Sequence, residues 1–271
     1  NRIGIAAPDS DSSPYDTGSI SSRTATDAGN AVRLACEDAR AQLIEIAAAS
    51  FKCKPEEVAY ANGWMTCKTN PNLKRSYTDV LGESMFMRHG PIIGRGSFIA
   101  REPFEHEVFE GYSERPVGMF TFGTQIAEVE VDPTTGKTKV LNFTAAHDIG
   151  TIVNPTGLEG QVEGGVVQGM GYGLYEELIV DQGKILNPSF VDYRIPTALD
   201  TPPIKSVFVT DYEEMGPFGA KGFSEQPMMP PMPAIANAIA DAIGVRVTTI
   251  PITPERLYRA IQQQENRPEN K

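Results

Sequence analysis

Apolar residues recur at helical spacing between residues 28 and 49, where Val32, Leu34, Ala35, Leu43, Ile46 and Ala47 predict a long helix. Thr24, Thr26 and Asp27, just ahead of it, each suit its N-terminal cap. A second stripe, Leu158, Val162, Val166, Met170, Leu174 and Leu178, returns every fourth position and predicts a helix across 157–177. Residues 233–243 and, behind Thr253, residues 254–264 predict two more. Elsewhere the period is two: Phe120, Phe122, Thr124, Ile126, Val129 and Val131 alternate with polar positions. A turn at 132–136 and a return strand at 139–146 complete a hairpin there. Smaller hairpins are predicted at 58–67, around Asn62-Gly63, and at 177–186. Residues 2–6, 92–100, 204–210 and 245–251 read as strands, 54–57 and 78–86 as short helical pieces, and 8–18 and 265–271 as polar loop and tail. Strands and helices do not alternate strictly, so the pattern predicts an α+β fold.

Composition narrows the function. The 271 residues suffice for one large domain or two coupled smaller ones. Hydrophobic and charged shares of 40% and 22% are those of an ordinary globular protein. A net charge of −11 argues against a nucleic-acid surface. No apolar run reaches the roughly 18 residues that a membrane helix needs, and no secretory pattern opens the chain. Cys36, Cys53 and Cys67 are too few and too scattered for an iron–sulfur cluster. The lack of a C-x-x-C disfavours a zinc ribbon or redox dithiol, and their odd number suits a reducing, cytoplasmic compartment. His89, His106 and His147 show no metal-ligand spacing.

Three stretches carry candidate chemistry. Ser21-Ser22-Arg23-Thr24 opens the first helix with hydroxyls, a cation and the positive end of a helix dipole. It reads as an anion site or as a capped helix without a ligand. The helix at 157–177 holds glycines at 157, 160, 164, 165, 169, 171 and 173. Each interior glycine costs about 0.5–1 kcal/mol against alanine, which implies close approach of another backbone or of a bulky ligand. No G-K-[ST] follows, so it is not a P-loop. Finally, Gly216, Gly219 and Gly222 precede Glu225, which Gln226-Pro227 separates from the next helix. This carboxylate reads either as a charge complementing a helix dipole or as a catalytic group. His147-Asp148-Ile149-Gly150 and Asn154-Pro155 end a strand, where sites and ordinary loop hydrogen bonds both occur.

In this order, Ser-Ser-Arg-Thr, His-Asp-Ile-Gly with Asn-Pro, Gly160-Gln161-Val162-Glu163-Gly164 and Gly-x-Lys-Gly-x-x-Glu resemble the molybdenum-binding subunit of the xanthine dehydrogenase and aldehyde oxidase family of molybdenum hydroxylases. The resemblance spans essentially the whole chain and is to the C-terminal half of that subunit. It implies two intertwined α+β subdomains: 1–115 with the Ser-Ser-Arg-Thr loop, 116–264 with the glycine helix and the Glu225 loop, then a tail at 265–271. It also implies that Glu225 is the general base toward a hydroxyl on the metal. Ser21, Ser22, Arg23, Thr24, Gln161 and the Phe223–Ser224 backbone would meet the cofactor. Family members often carry glycine at the position of Ser224. Lys221 matches a common lysine of the motif, and Tyr15, Phe218 and Phe223 are aromatic residues able to stack on a substrate ring or to pack. The implied cofactor is a molybdopterin dinucleotide, of cytosine type, with a terminal sulfido or selenido ligand. The metal is held by the pterin dithiolene and by no side chain. Implied partners are a chain carrying the N-terminal half of the subunit, a [2Fe-2S] subunit and an FAD subunit. The implied reaction is hydroxylation of an electron-poor carbon in an N-heterocycle, as in the split, selenium-dependent nicotinate dehydrogenase type. Purine, aldehyde, CO and aromatic-thioester substrates are alternatives, as is a scaffold chain without a catalytic residue.

Overall fold

The computed structural model describes residues 3–6, 8–16, 18–88, 90–99 and 118–266. His89, His106, one end each of the strands expected at 2–6 and 92–100, and most of the expected tail lie outside these residues. The chain forms two units, each assembled from separate stretches: Ala25–Phe120 with Tyr212–Lys221, and Asn1–Thr24 with Thr121–Asp211 and Gly222–Lys271.

The first unit is organised by α1 (Thr24–Phe51), whose C-terminal half buries Leu43, Ile46, Ala47, Ala48 and Phe51. These pack with Val58, Met65, Cys67 and Val80, which come from β1 (Val58–Ala61), β2 (Trp64–Cys67) and α2 (Tyr77–Glu83). The β1–β2 hairpin turns at Asn62-Gly63 as expected, both residues having positive φ. A short β3 (Lys74–Ser76), too brief and polar to show in the pattern, adds a third strand. Residues 92–99 are not the strand that their apolar content predicts. Their backbone groups bond to α1 instead, Arg95 N–H to Asp38 Oδ2 (2.9 Å) and Gln42 Nε2 to the Ile93 carbonyl (3.0 Å). Gly94 and Gly96 lie so close to the Ala35 and Ala31 carbonyls that a Cβ would overlap them.

In the second unit, β4 (Gly123–Asp132) and β5 (Lys137–Asp148) form the predicted antiparallel hairpin, and β8 (Ile204–Val209) adds to β5 in parallel. Before β8 come α3 (Pro155–Leu174) and the separate pair β6 (Val180–Asp181) and β7 (Lys184–Ile185). After it come α4 (Pro231–Ile243) and α5 (Pro254–Glu265). The core joins Phe143 and Ala145 of β5, Val162, Val166 and Met170 of α3, Ile235 and Ile239 of α4, and Leu257 of α5. Asn154 caps α3 by accepting from Gly157 N–H (3.0 Å), and Thr253 caps α5. Two expected strands are absent. Ile3–Ala6 forms no strand, with Ile3 and Ile5 exposed. Residues 245–250 form no ladder either; beyond them Pro251 has no N–H to donate, and Ile252 N–H bonds the Gly173 carbonyl at the end of α3 (2.7 Å). No described helix is long and apolar enough to cross a membrane.

Candidate active site

The candidate site is built wholly within the second unit. Glu225 ends a loop from Gly222 and immediately precedes a 3-10 turn, Gln226–Met228. The loop ties itself down: Gln226 Oε1 accepts from Ser224 N–H (2.8 Å), and Gln226 Nε2 donates to the Gly222 carbonyl (3.1 Å). Although Glu225 occupies the capping position of that turn, its side chain makes no cap hydrogen bond. Its carboxylate goes to Ser22 instead, with Ser22 Oγ donating to Oε2 at 2.9 Å and Glu225 N–H donating back to the same Oγ at 3.1 Å. Oε1 has no hydrogen-bond partner among the described residues, and the residue is exposed.

Ser22 reaches Glu225 because of an uncommon backbone. Ser21 and Ser22 both have positive φ, 53° and 55°, and Arg23 N–H closes the turn onto the Ile20 carbonyl (3.2 Å). Two left-handed non-glycine residues cost about 1–3 kcal/mol each and cluster at functional sites. Nothing in Ser-Ser announces this, since glycine and asparagine are the usual residues at such positions. The turn leads directly into Thr24, the first residue of α1. Ser224, on the other side, places its Oγ 3.0 Å from Ser22 Oγ. Ser224 therefore completes a short hydroxyl chain beside the carboxylate.

The glycines of α3 divide between two faces. Gly165 and Gly169 are buried, and a Cβ on them would collide with Pro227 and with the Met228 carbonyl and Pro231. The segment that follows Glu225 thus rests directly on the helix backbone. Gly160 and Gly164 are exposed, and a Cβ on either meets nothing within 4 Å. Gln161 is exposed beside them, one turn before Gly165. A shallow hollow of about 510 Å³ lies along Gly164, lined by Glu163, Val167, Thr201, Pro202 and Ile204. Lys221 belongs to the other unit, where it donates to the Phe120 carbonyl (2.8 Å) and stands 3.9 Å from Glu213. Tyr15 and Phe218 are exposed, and Phe223 sets its ring edge to His147, centroids 5.3 Å apart.

A family profile described as the molybdopterin cofactor-binding domain matches residues 1–202. The chain belongs to that family. It represents the C-terminal molybdopterin-binding region of molybdenum hydroxylases. It is similar to a putative xanthine dehydrogenase molybdenum-binding subunit of Escherichia coli, 31% identical over 94% of this chain and 32% of that protein. It is also similar to the nicotine 6-hydroxylase large subunit of Paenarthrobacter nicotinovorans, 33% identical over 95% of this chain and 31% of that protein. Among solved structures, quinoline 2-oxidoreductase from Pseudomonas putida 86 superposes with a TM-score of 0.80 and 26% identity, over 93% of this chain and 32% of that one. The chain therefore spans about a third of the length of the relatives it matches.

The residues present fit a molybdopterin group. The Gly160–Gly164 face offers bare backbone beside an exposed amide, which a broad, polar ring system needs for close approach. In the turn ahead of Thr24, the exposed Ser21 hydroxyl offers a donor, while the Ser22 hydroxyl is taken by Glu225. Sequence reasoning passed over Gln125 as a site residue. Only the register of β4 on β5 reveals it, because that register carries its amide to the Glu225 loop.

Proposed function

We propose that this chain carries the general base of a molybdenum hydroxylase, Glu225, together with part of the cradle for its cofactor. The observation behind this reading is the carboxylate itself. It is tethered through one oxygen to Ser22, leaves its helical turn uncapped and belongs to an exposed residue whose Oε1 has no hydrogen-bond partner among the described residues. A base must be held within reach of the proton it takes, and a tether through Oε2 orients Oε1 for that task. Ser21, Ser22, Arg23, Thr24, Gln161 and the backbone of Phe223 and Ser224 are the proposed cofactor contacts. When bound, a molybdopterin dinucleotide of cytosine type, with a sulfido or selenido ligand, supplies the two-electron redox chemistry.

The overall change replaces a C–H bond with C–OH, taking oxygen from water and releasing two protons and two electrons. Glu225 Oε1 receives one of those protons. The electrons leave through [2Fe-2S] and FAD partner chains, and a further polypeptide region supplies the rest of the molybdenum subunit. The proposed substrate is an N-heterocycle of the nicotinate kind, since carbon next to ring nitrogen is electron-poor. The similarity to proteins named for nicotine and quinoline supports that choice. In the assembled enzyme, Glu225→Gln keeps molybdenum and loses turnover by about 10²–10⁴-fold. Normal turnover by this variant overturns the role and leaves a scaffold chain.

A further inference from the structure

A buried histidine and a half-buried glutamine on the β4–β5 hairpin contact the Glu225 loop on both sides of the carboxylate. His147, 2% exposed at the end of β5, receives Gln125 of β4: Gln125 Nε2 lies 2.8 Å from His147 Nε2 and 3.0 Å from the Pro227 carbonyl. A carbonyl only accepts, so the group facing it is the amide NH₂. The same NH₂ then donates to His147 Nε2, which places the imidazole proton on Nδ1. Opposite His147 in the ladder stands Gly123, where a Cβ would fall 2.5 Å from Nδ1. The imidazole also makes a T-shaped contact with the Phe223 ring, centroids 5.3 Å apart. Phe223 and Pro227 lie two residues before and two residues after Glu225. Gln125 Oε1 is buried with no partner among the described residues. An orphaned acceptor costs stability, so the amide orientation is imposed by its two acceptors.

We propose that Gln125 and His147 are positioning residues that fix Glu225 by clamping its loop at Phe223 and Pro227. This rests on the reading of Glu225 as the base. Burial holds His147 below its ordinary pKa, which keeps Nε2 available as an acceptor. The clamp needs a donor at 125 and an acceptor at 147, and the sheet register supplies both.

The test compares Gln125→Met, His147→Leu and His147→Gln in the full enzyme, with Glu225→Gln alongside. Gln125→Met keeps the side-chain length but removes the donor. It is expected to lower kcat about 10–100-fold, the scale of a small misplacement of a reacting group, with KM and molybdenum content unchanged. His147→Leu behaves likewise, whereas His147→Gln, which restores an acceptor, recovers most of kcat. Independently of activity, amide hydrogen exchange over residues 222–229 speeds up in Gln125→Met and His147→Leu and not in His147→Gln. Unchanged exchange and kcat in Gln125→Met overturn the clamp even where Glu225→Gln is inactive. Full activity of Glu225→Gln with faster loop exchange in Gln125→Met overturns the base and leaves the clamp standing.

Discussion

Ser22 Oγ is saturated by Glu225 and its neighbour. Its one proton goes to Glu225 Oε2 (2.9 Å), and its lone pairs accept from Glu225 N–H (3.1 Å) and from Ser224 Oγ (3.0 Å). Because that proton is committed to the carboxylate, Ser224 must be the donor in the hydroxyl pair. Ser22→Ala removes both bonds to Glu225 and is expected to reduce kcat about tenfold, the scale of one hydrogen bond to a charged group. Ser224→Ala removes only the outer link and should cost about threefold at most. Steady-state kinetics with molybdenum analysis of each variant checks this, and equal effects of the two substitutions would contradict the order of the chain.

The two faces of α3 predict opposite outcomes for the same substitution. Gly165→Ala forces a methyl into Pro227 and Met228 and should destabilise the chain by about 1–3 kcal/mol, as overpacking does. Gly160→Ala meets open space and should stabilise it by about 0.5–1 kcal/mol through helix propensity. Urea unfolding followed by circular dichroism measures both. Molybdenum retention then reports whether the exposed face touches cofactor, in which case Gly160→Ala lowers it despite the gain in stability.

Burial of His147 lowers its pKa from the ordinary value near 6.5. Below that value the unfolded chain takes up a proton that the folded chain refuses, so folding grows weaker as the pH falls. The contribution is complete above about pH 6.5 and is lost as the pH drops through the lowered folded value. Urea midpoints at pH 7.5 and pH 5.0 should differ more for the native chain than for His147→Gln. Identical differences would exclude His147 as the source.

Asn154 Oδ1 accepts from Gly157 N–H at the start of α3. Asn154→Ala should cost about 1 kcal/mol, the usual value of such a cap. Asn154→Asp should cost little, because an acidic acceptor serves the same N–H and suits the dipole. Thermal unfolding of the two variants separates these outcomes.

Local pattern made α1, α3, α4, α5 and the β4–β5 hairpin legible, because each carries its own period over ten residues or more. The strands expected at 3–6, 92–99 and 245–250 failed for the opposite reason. Short apolar runs become strands only when a neighbouring strand accepts their hydrogen bonds. Here α1 took those of 92–99, and Ile252, just beyond the last run, bonded to the end of α3. The candidate site divides in the same way. By itself the sequence determined the family, through ordered motifs, and the presence of one carboxylate in a glycine-framed loop. It also showed that the α3 glycines required a close neighbour. Tertiary structure alone decided that the neighbour of Gly165 and Gly169 is the Pro227–Pro231 segment, and that Glu225 hangs on Ser22 some 200 residues away (|i−j| = 203). It alone brought Gln125 and His147 beneath the same loop. Such contacts join residues with no shared period, so they exist only once the core has set the register of sheet and helices.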